Sequence, residues 1–138
     1  MIGGAMQFIV GHLVDAANIS VEGKLNLMGI FQKIASSEFP CQLPCALVAL
    51  FEADPFDRGG RIPVRIEFID EDGLEMFRME GMEVAVPDQS GHLTQTCNLI
   101  VNLRPLTLTK PGPYSFKVLV RDRLEGEIRL QVESAAAG

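Results

Sequence analysis

Three groups of side chains in this sequence have types and spacings that could do chemistry: loop carboxylates, thiols with imidazoles, and a polar cluster near the N-terminus. Asp54 and Asp57 share one stretch, and Asp70, Glu71 and Asp72 share another. Calcium takes about six to eight oxygen ligands, and clustered loop aspartates can supply them. The two stretches flank one expected strand, however, so they lie at its opposite ends and cannot build one shared site. Asp70-Glu-Asp-Gly73 is also ordinary turn chemistry. Cys41 and Cys45 are spaced more widely than a usual zinc pair, and Cys97, His12 and His92 would have to converge on them. A Cys97 nucleophile with His92 as base has an odd spacing, which places the two on opposite sides of a strand. The sequence holds no G-x-x-x-x-G-K-[ST], no G-x-S-x-G and no H-E-x-x-H. No metal or cofactor is therefore expected, and no enzyme.

Asp15, Asn18, Lys24 and Asn26 form the most distinctive polar cluster. They flank an expected turn at Asn18-Ile-Ser-Val-Glu-Gly23. Asp15 and Asn18 are the residue types that cap turns by side-chain-to-backbone hydrogen bonds. The same four residues are the candidate interaction surface, because loops held on a rigid scaffold carry binding. Asn98 and Asn102 alternate with Leu99, Val101 and Leu103. On an open face they would line a polar groove, and on a packed one they would be ladder partners.

The elements that position these residues show a period of two. Tyr114, Phe116, Val118 and Val120 share one face, with Ser115, Lys117 and Arg121 opposite; Ile128, Leu130 and Val132 alternate with Glu127, Arg129 and Gln131. A turn at Asp122-Arg123 joins these two runs. Further strands are expected at Met6 to Asp15, Lys24 to Ala35 (bent at Gly29), Cys45 to Ala53, Arg61 to Asp70, Leu74 to Val86 and Thr94 to Arg104. Cys45 to Ala53 is nearly continuous in apolar residues, as in a strand covered on both faces. Phe39-Pro-Cys-Gln-Leu-Pro44 and Pro105 to Lys110 read as connectors, because proline cannot donate to a ladder. The apolar phase slips near Gly81, which predicts a bulge.

Many short strands without an amphipathic helix give an all-β class: an antiparallel two-sheet β-sandwich of about eight strands, immunoglobulin-like or similar. At 138 residues it is one domain, 5–133, with flexible ends at 1–4 and 134–138. The net charge of −6 argues against nucleic acid as a partner, since phosphate binding needs a concentrated basic surface. No apolar run approaches the roughly 20 residues needed to span a membrane. Three cysteines make a poor disulfide framework and suit reduced thiols in a cytoplasmic protein.

The segment Asp15-Ala-Ala-Asn-Ile-Ser-Val-Glu-Gly-Lys-Leu-Asn-Leu-Met-Gly-Ile-Phe31 resembles an uncharacterised family of small bacterial β-sandwich proteins, catalogued as a domain of unknown function. Phe39-Pro40, Asp70-Glu-Asp-Gly73, the strand Asn98 to Leu103 and Pro111-Gly-Pro-Tyr-Ser-Phe116 are similar as well. The resemblance runs from about Phe8 to Val132. It implies a compact sandwich in a bacterial or phage setting and carries over no catalytic residue. The expected function is a non-enzymatic protein-interaction or assembly module, with a protein partner or self-association through an exposed edge strand. The alternative is a small-molecule or carbohydrate-binding sandwich.

Overall fold

In the computed structural model, which describes residues 6–88 and 95–135, alternating sequence becomes paired strand almost throughout. The strands are β1 (Gln7–Ile19), β2 (Leu25–Phe31), β3 (Lys33–Ser36), β4 (Cys41–Ala53), β5 (Arg61–Ile69), β6 (Glu75–Ala85), β7 (Gln95–Leu108), β8 (Gly112–Val120) and β9 (Arg123–Ser134). A first sheet has the order β2-β1-β4-β7, and a second has the order β3-β9-β8-β5-β6. Among the described residues the helical content is one 3-10 turn at Pro55–Asp57, and no helix is long and apolar enough to cross a membrane. The fold is the expected all-β, two-sheet sandwich. The strand beyond the expected eight arises because Lys24 to Ala35 is not one strand. It changes sheets at Gln32, so β2 pairs with β1 while β3 pairs with β9 in parallel. At the far end β9 continues through Ser134, and the Ala135 N–H donates to Ser36 O at 2.8 Å. The expected flexible end 134–138 is corrected at Ser134 and Ala135, which the ladder holds; 136–138 and 1–4 lie outside the described residues.

Period-two patterning turns the right side chains inward. Ile62, Val64, Ile66 and Phe68 of β5, Tyr114 and Phe116 of β8, and Ile128, Leu130 and Val132 of β9 are buried against Leu13, Leu47 and Phe51 of the first sheet. Phe68 is the hub. Its ring centroid lies 4.5 Å from Phe116, 5.1 Å from Phe77 and 5.2 Å from Tyr114. Such pairs contribute beyond the area they bury. The predicted bulge is present: register between β5 and β6 shifts between Val64–Met82 and Ile66–Met79, where Gly81 takes φ +78°.

The proline connectors are a correction. Cys41, Gln42 and Leu43 pair with Leu108, Thr107 and Leu106, so β4 and β7 run straight through Pro44 and Pro105. Register shifts between Leu43–Leu106 and Cys45–Leu103, which places both prolines in one irregularity. A bulge is where a ladder tolerates a missing N–H donor.

The β8–β9 hairpin also turns one residue earlier than expected. Arg121 and Asp122 both have positive φ, at 51° and 63°. Tight hairpin turns demand this geometry, and glycine or asparagine usually meet it. Here tertiary contacts hold the turn. The Arg121 N–H donates to Pro63 O at 3.1 Å, its guanidinium donates to Asp57 at 2.9 Å, and Asp122 accepts from Arg65.

Candidate interaction surface

The β1–β2 hairpin gathers three of the four polar residues singled out above at its tip. Asn18 and Asn26 lie directly opposite in the register. Asn26 Nδ2 donates to Asn18 Oδ1 at 3.0 Å and to Lys24 O at 3.3 Å. Lys24 Nζ sits 3.3 Å from Glu22, with both side chains in solvent. Asp15 stands apart, opposite Gly29. Gly29 has φ +70°, and a Cβ there would fall 2.2 Å from Asp15 Oδ2, so the carboxylate occupies space that only glycine leaves open. The capping expectation is corrected. Neither Asp15 nor Asn18 caps the turn; the Ser20 hydroxyl accepts from Lys24 N–H at 3.1 Å, and Gly23 N–H donates to Ser20 O at 2.9 Å. Asn18 lies directly opposite Asn26 in the ladder, and side-chain pairing across it wins.

The surface beside this hairpin is the part sequence reasoning missed. Along β4, Cys45, Leu47, Ala49, Phe51 and Ala53 join the core between the sheets. Ala46 and Val48 instead form a separate buried group with Val14. Strict alternation puts that group on the outward face of the first sheet. The apolar run of β4 matches a strand covered on both faces. One face does meet the second sheet; the other is shielded by neighbours in its own sheet, Ala17, Leu25, Leu27, Leu50 and Ile100. The register lays out rows across this face: Val10–Leu50–Asn98, His12–Val48–Ile100 and Val14–Ala46–Asn102. None of these nine positions is Asp, Glu, Lys or Arg. Asn98 and Asn102 are thus on an open face, flanking Ile100. On β2, Met28 and Ile30 are 65% and 53% exposed.

The outward face of the second sheet is the opposite in kind. Arg65–Glu67 at 2.9 Å lies along β5, Arg78–Glu80 at 3.0 Å along β6, and Lys117–Glu127 at 3.7 Å joins β8 to β9. A solvated sandwich face is normally polar like this one. Uncharged, largely apolar rows across a sheet face mark a place where something docks.

The other candidate chemistry dissolves into structure. Asp54 Oδ1 accepts from Phe56 N–H, and Asp57 is held by Arg121. Asp70 Oδ1 accepts from the N–H groups of Asp72 and Leu74, each at 2.9 Å. Among the described residues no three His, Cys, Asp or Glu side chains gather as metal ligands. His92 lies outside the described residues. A cleft of about 750 Å³ runs between β1 and the β8–β9 pair, lined by His12, Phe31, Tyr114, Glu127 and Arg129 among others. Within it the Tyr114 hydroxyl donates to Lys110 O at 2.6 Å, and the Arg129 guanidinium holds Glu127 below the usual carboxylate range.

No disulfide joins the three cysteines, of which Cys45 and Cys97 are buried and Cys41 half-buried. Burial pushes Cys45 up to about 11, with Arg104 pulling the other way and Asp15 adding a smaller push. Burial raises Cys97 as well, helped by the Asp57 charge. The thiolate is the reactive form. Native protein treated with a thiol-specific disulfide reagent at about pH 8 should therefore release one fast equivalent, from Cys41, and three after unfolding. Fast release of all three from the native state would contradict this burial.

No curated protein matches the chain. Among solved structures, an immunoglobulin-like protein from Pseudomonas aeruginosa is similar at 12% identity over 94% of this chain and 97% of that one, with a TM-score of 0.46. A Pseudomonas fluorescens alkylpurine DNA glycosylase, AlkC, bound to DNA containing an abasic site analogue, is similar at 12% identity and a TM-score of 0.44. That likeness covers 89% of this chain but 30% of the glycosylase. Neither bears on what this chain does. A family model matches residues 10–133, nearly the whole sandwich, and the chain belongs to that family, the family of unknown function DUF6941.

Proposed function

We propose that the protein is a non-enzymatic interaction module that binds a protein partner through the outward face of the first sheet. The observation that carries this reading is the contrast between the two outward faces. One is laced with ion pairs, while the rows Val10–Leu50–Asn98 and His12–Val48–Ile100 carry no charge. Interface cores are depleted in charged residues and rich in such apolar side chains, with polar groups at their rim. Asn98 and Asn102 supply that rim. Three cysteines with no disulfide suit a reducing, cytoplasmic setting.

Ile100 is the position to test, because it is half-buried on the face and lies on β7, away from the hairpin. Ile100→Lys should leave the fold intact and weaken partner binding by about 2 kcal/mol, roughly thirty-fold, since an unpaired charge would be buried. The measurement is affinity capture from the source cell with wild type and variant side by side, followed by titration of the protein identified. Equal capture by both, with equal thermal unfolding midpoints, would remove the face from consideration.

A further inference from the structure

The outward face of the first sheet continues past its three uncharged rows at both ends. At one end the next row is Gln7–Glu52–Thr96. Glu52 lies between Phe51 and Ala53, which belong to the core, so alternation turns it outward. At the other end Arg104, next to the core residue Leu103, is turned outward in the same way. Its guanidinium reaches past β4 to β1 and donates to Asp15 O at 3.1 Å. Among the described residues neither Glu52 nor Arg104 has an ion-pair partner. Val48 stands midway between them. Glu52 is four residues away along β4, and Pro44, which opposes Arg104 and Pro105 in the irregularity, is four residues the other way. Four residues of strand span about 13 Å.

We infer that this face is self-complementary and that its occupant is a second copy of the chain, packed face to face about a two-fold axis along the row His12–Val48–Ile100. The inference rests on reading this face as the docking surface and names the partner there. A two-fold axis lying in the interface, across the strands, sets each strand over its own copy with direction reversed. It exchanges the rows on either side of the axis. Glu52 of each copy then comes over Arg104 of the other, an acid over a base twice in the dimer. Leu50 comes over Ala46, a large side chain over a small one, and Val10 over Val14. Asn98 comes over Asn102, and each amide both donates and accepts. The two sheets lie with their strands nearly aligned, as sheets packed face to face do within about 30°. An acid and a base equidistant from an apolar centre match each other through a two-fold axis, and a partner of different sequence gives no reason for that spacing. Glu52 and Arg104 also cancel, so two copies of a chain with net charge −6 meet here without the repulsion of their remaining surfaces. Three strands about 4.8 Å apart, over about 26 Å of their length, offer roughly 400 Å² of sheet. A standard interface buries roughly 800 Å² per partner, so the dimer is expected to be weak and concentration-dependent.

Sedimentation equilibrium of the full chain over a wide concentration range should show the mass rising from monomer toward twice that value. Glu52→Arg and Arg104→Glu each create two like-charge contacts per dimer, so each alone should weaken self-association by at least about tenfold. An equimolar mixture of the two should dimerise again, because every contact in the mixed pair is once more acid to base. Ile100→Cys, on the axis, should give a covalent dimer with a short bis-maleimide, whereas wild type and Leu124→Cys, exposed on β9 of the second sheet, should not. This arm holds even where Arg104→Glu disturbs the hairpin through its lost bond to Asp15 O, which a lowered thermal midpoint would reveal. A monomer at every concentration up to millimolar would overturn the inference. So would a mixture that stays monomeric when both variants keep the wild-type midpoint, or a dimer that Ile100→Cys fails to trap. The capture experiment separates the two readings. A monomeric chain that loses a different protein on Ile100→Lys keeps its docking face and loses the second copy, whereas a monomeric chain with equal capture by wild type and variant loses both.

Discussion

Replacing Phe68 by alanine is expected to lower folding stability by about 3–5 kcal/mol. The side chain is fully buried at the junction of three other rings, Phe77, Tyr114 and Phe116. Removing it forfeits the burial of the ring and leaves a cavity whose walls belong to β5, β6 and β8, each fixed by its own ladder. Strands held by hydrogen bonds on both sides cannot collapse to fill such a space. β5 has β6 on one side and β8 on the other. The loss would be a large share of the roughly 5–15 kcal/mol that holds a typical domain together. Urea unfolding of wild type and Phe68→Ala at matched slope gives the difference directly. A loss below about 1 kcal/mol would mean that the ring cluster is not packed as described.

Gly126→Ala is the second large effect, and it acts by crowding instead of by loss. A Cβ on Gly126 would lie 2.1 Å from Phe8 Cδ2 and 2.4 Å from Cε2. Phe8 cannot simply swing away, because its ring packs edge-on against Phe51 at 5.8 Å. Gly11 shows the same closeness from the other side, with Ile128 Cδ1 2.3 Å from where its Cβ would be. These two glycines let β1 of one sheet and β9 of the other approach closely. Overpacking of this kind costs about 1–3 kcal/mol. The mechanism has a specific signature: Phe8→Leu, which removes the crowded ring atoms, should recover part of the loss, so the double variant should be more stable than the sum of the singles allows. Strict additivity in that cycle would show that the cost lies in the backbone of β9 and not in the ring.

The legibility of the fold in the sequence follows how local each cause is. β5, β8 and β9 were readable because alternation along one strand decides which side chains face inward. Ile62, Val64, Ile66 and Phe68 are buried as their spacing required. The bulge at Gly81 was readable because the phase slip and the glycine sit in the same few residues. Pro44 and Pro105 misled because their tolerance depends on each other. Each lies some sixty residues from its counterpart, and only the β4–β7 register puts both into one irregularity. The sheet change at Gln32 was hidden for a similar reason: nothing local distinguishes a bend within a sheet from a crossing between sheets.

The candidate surface divides the same way. Asn18, Lys24 and Asn26 could be grouped from sequence, since a hairpin brings near neighbours together. Their pairing, and the separation of Asp15 from them, needed the cross-strand register. The apolar outward face was beyond reach, because Val14, Val48 and Ile100 are far apart in the chain and look like ordinary core positions. By itself the sequence determined the class: period-two hydrophobicity, two-sided in composition and free of helical spacing, compels paired strands that bury one face. Only the tertiary structure decided which outward face is laced with ion pairs and which carries uncharged rows. Those are properties of strand order and register, which hydrogen bonding between distant segments sets and which no single segment encodes.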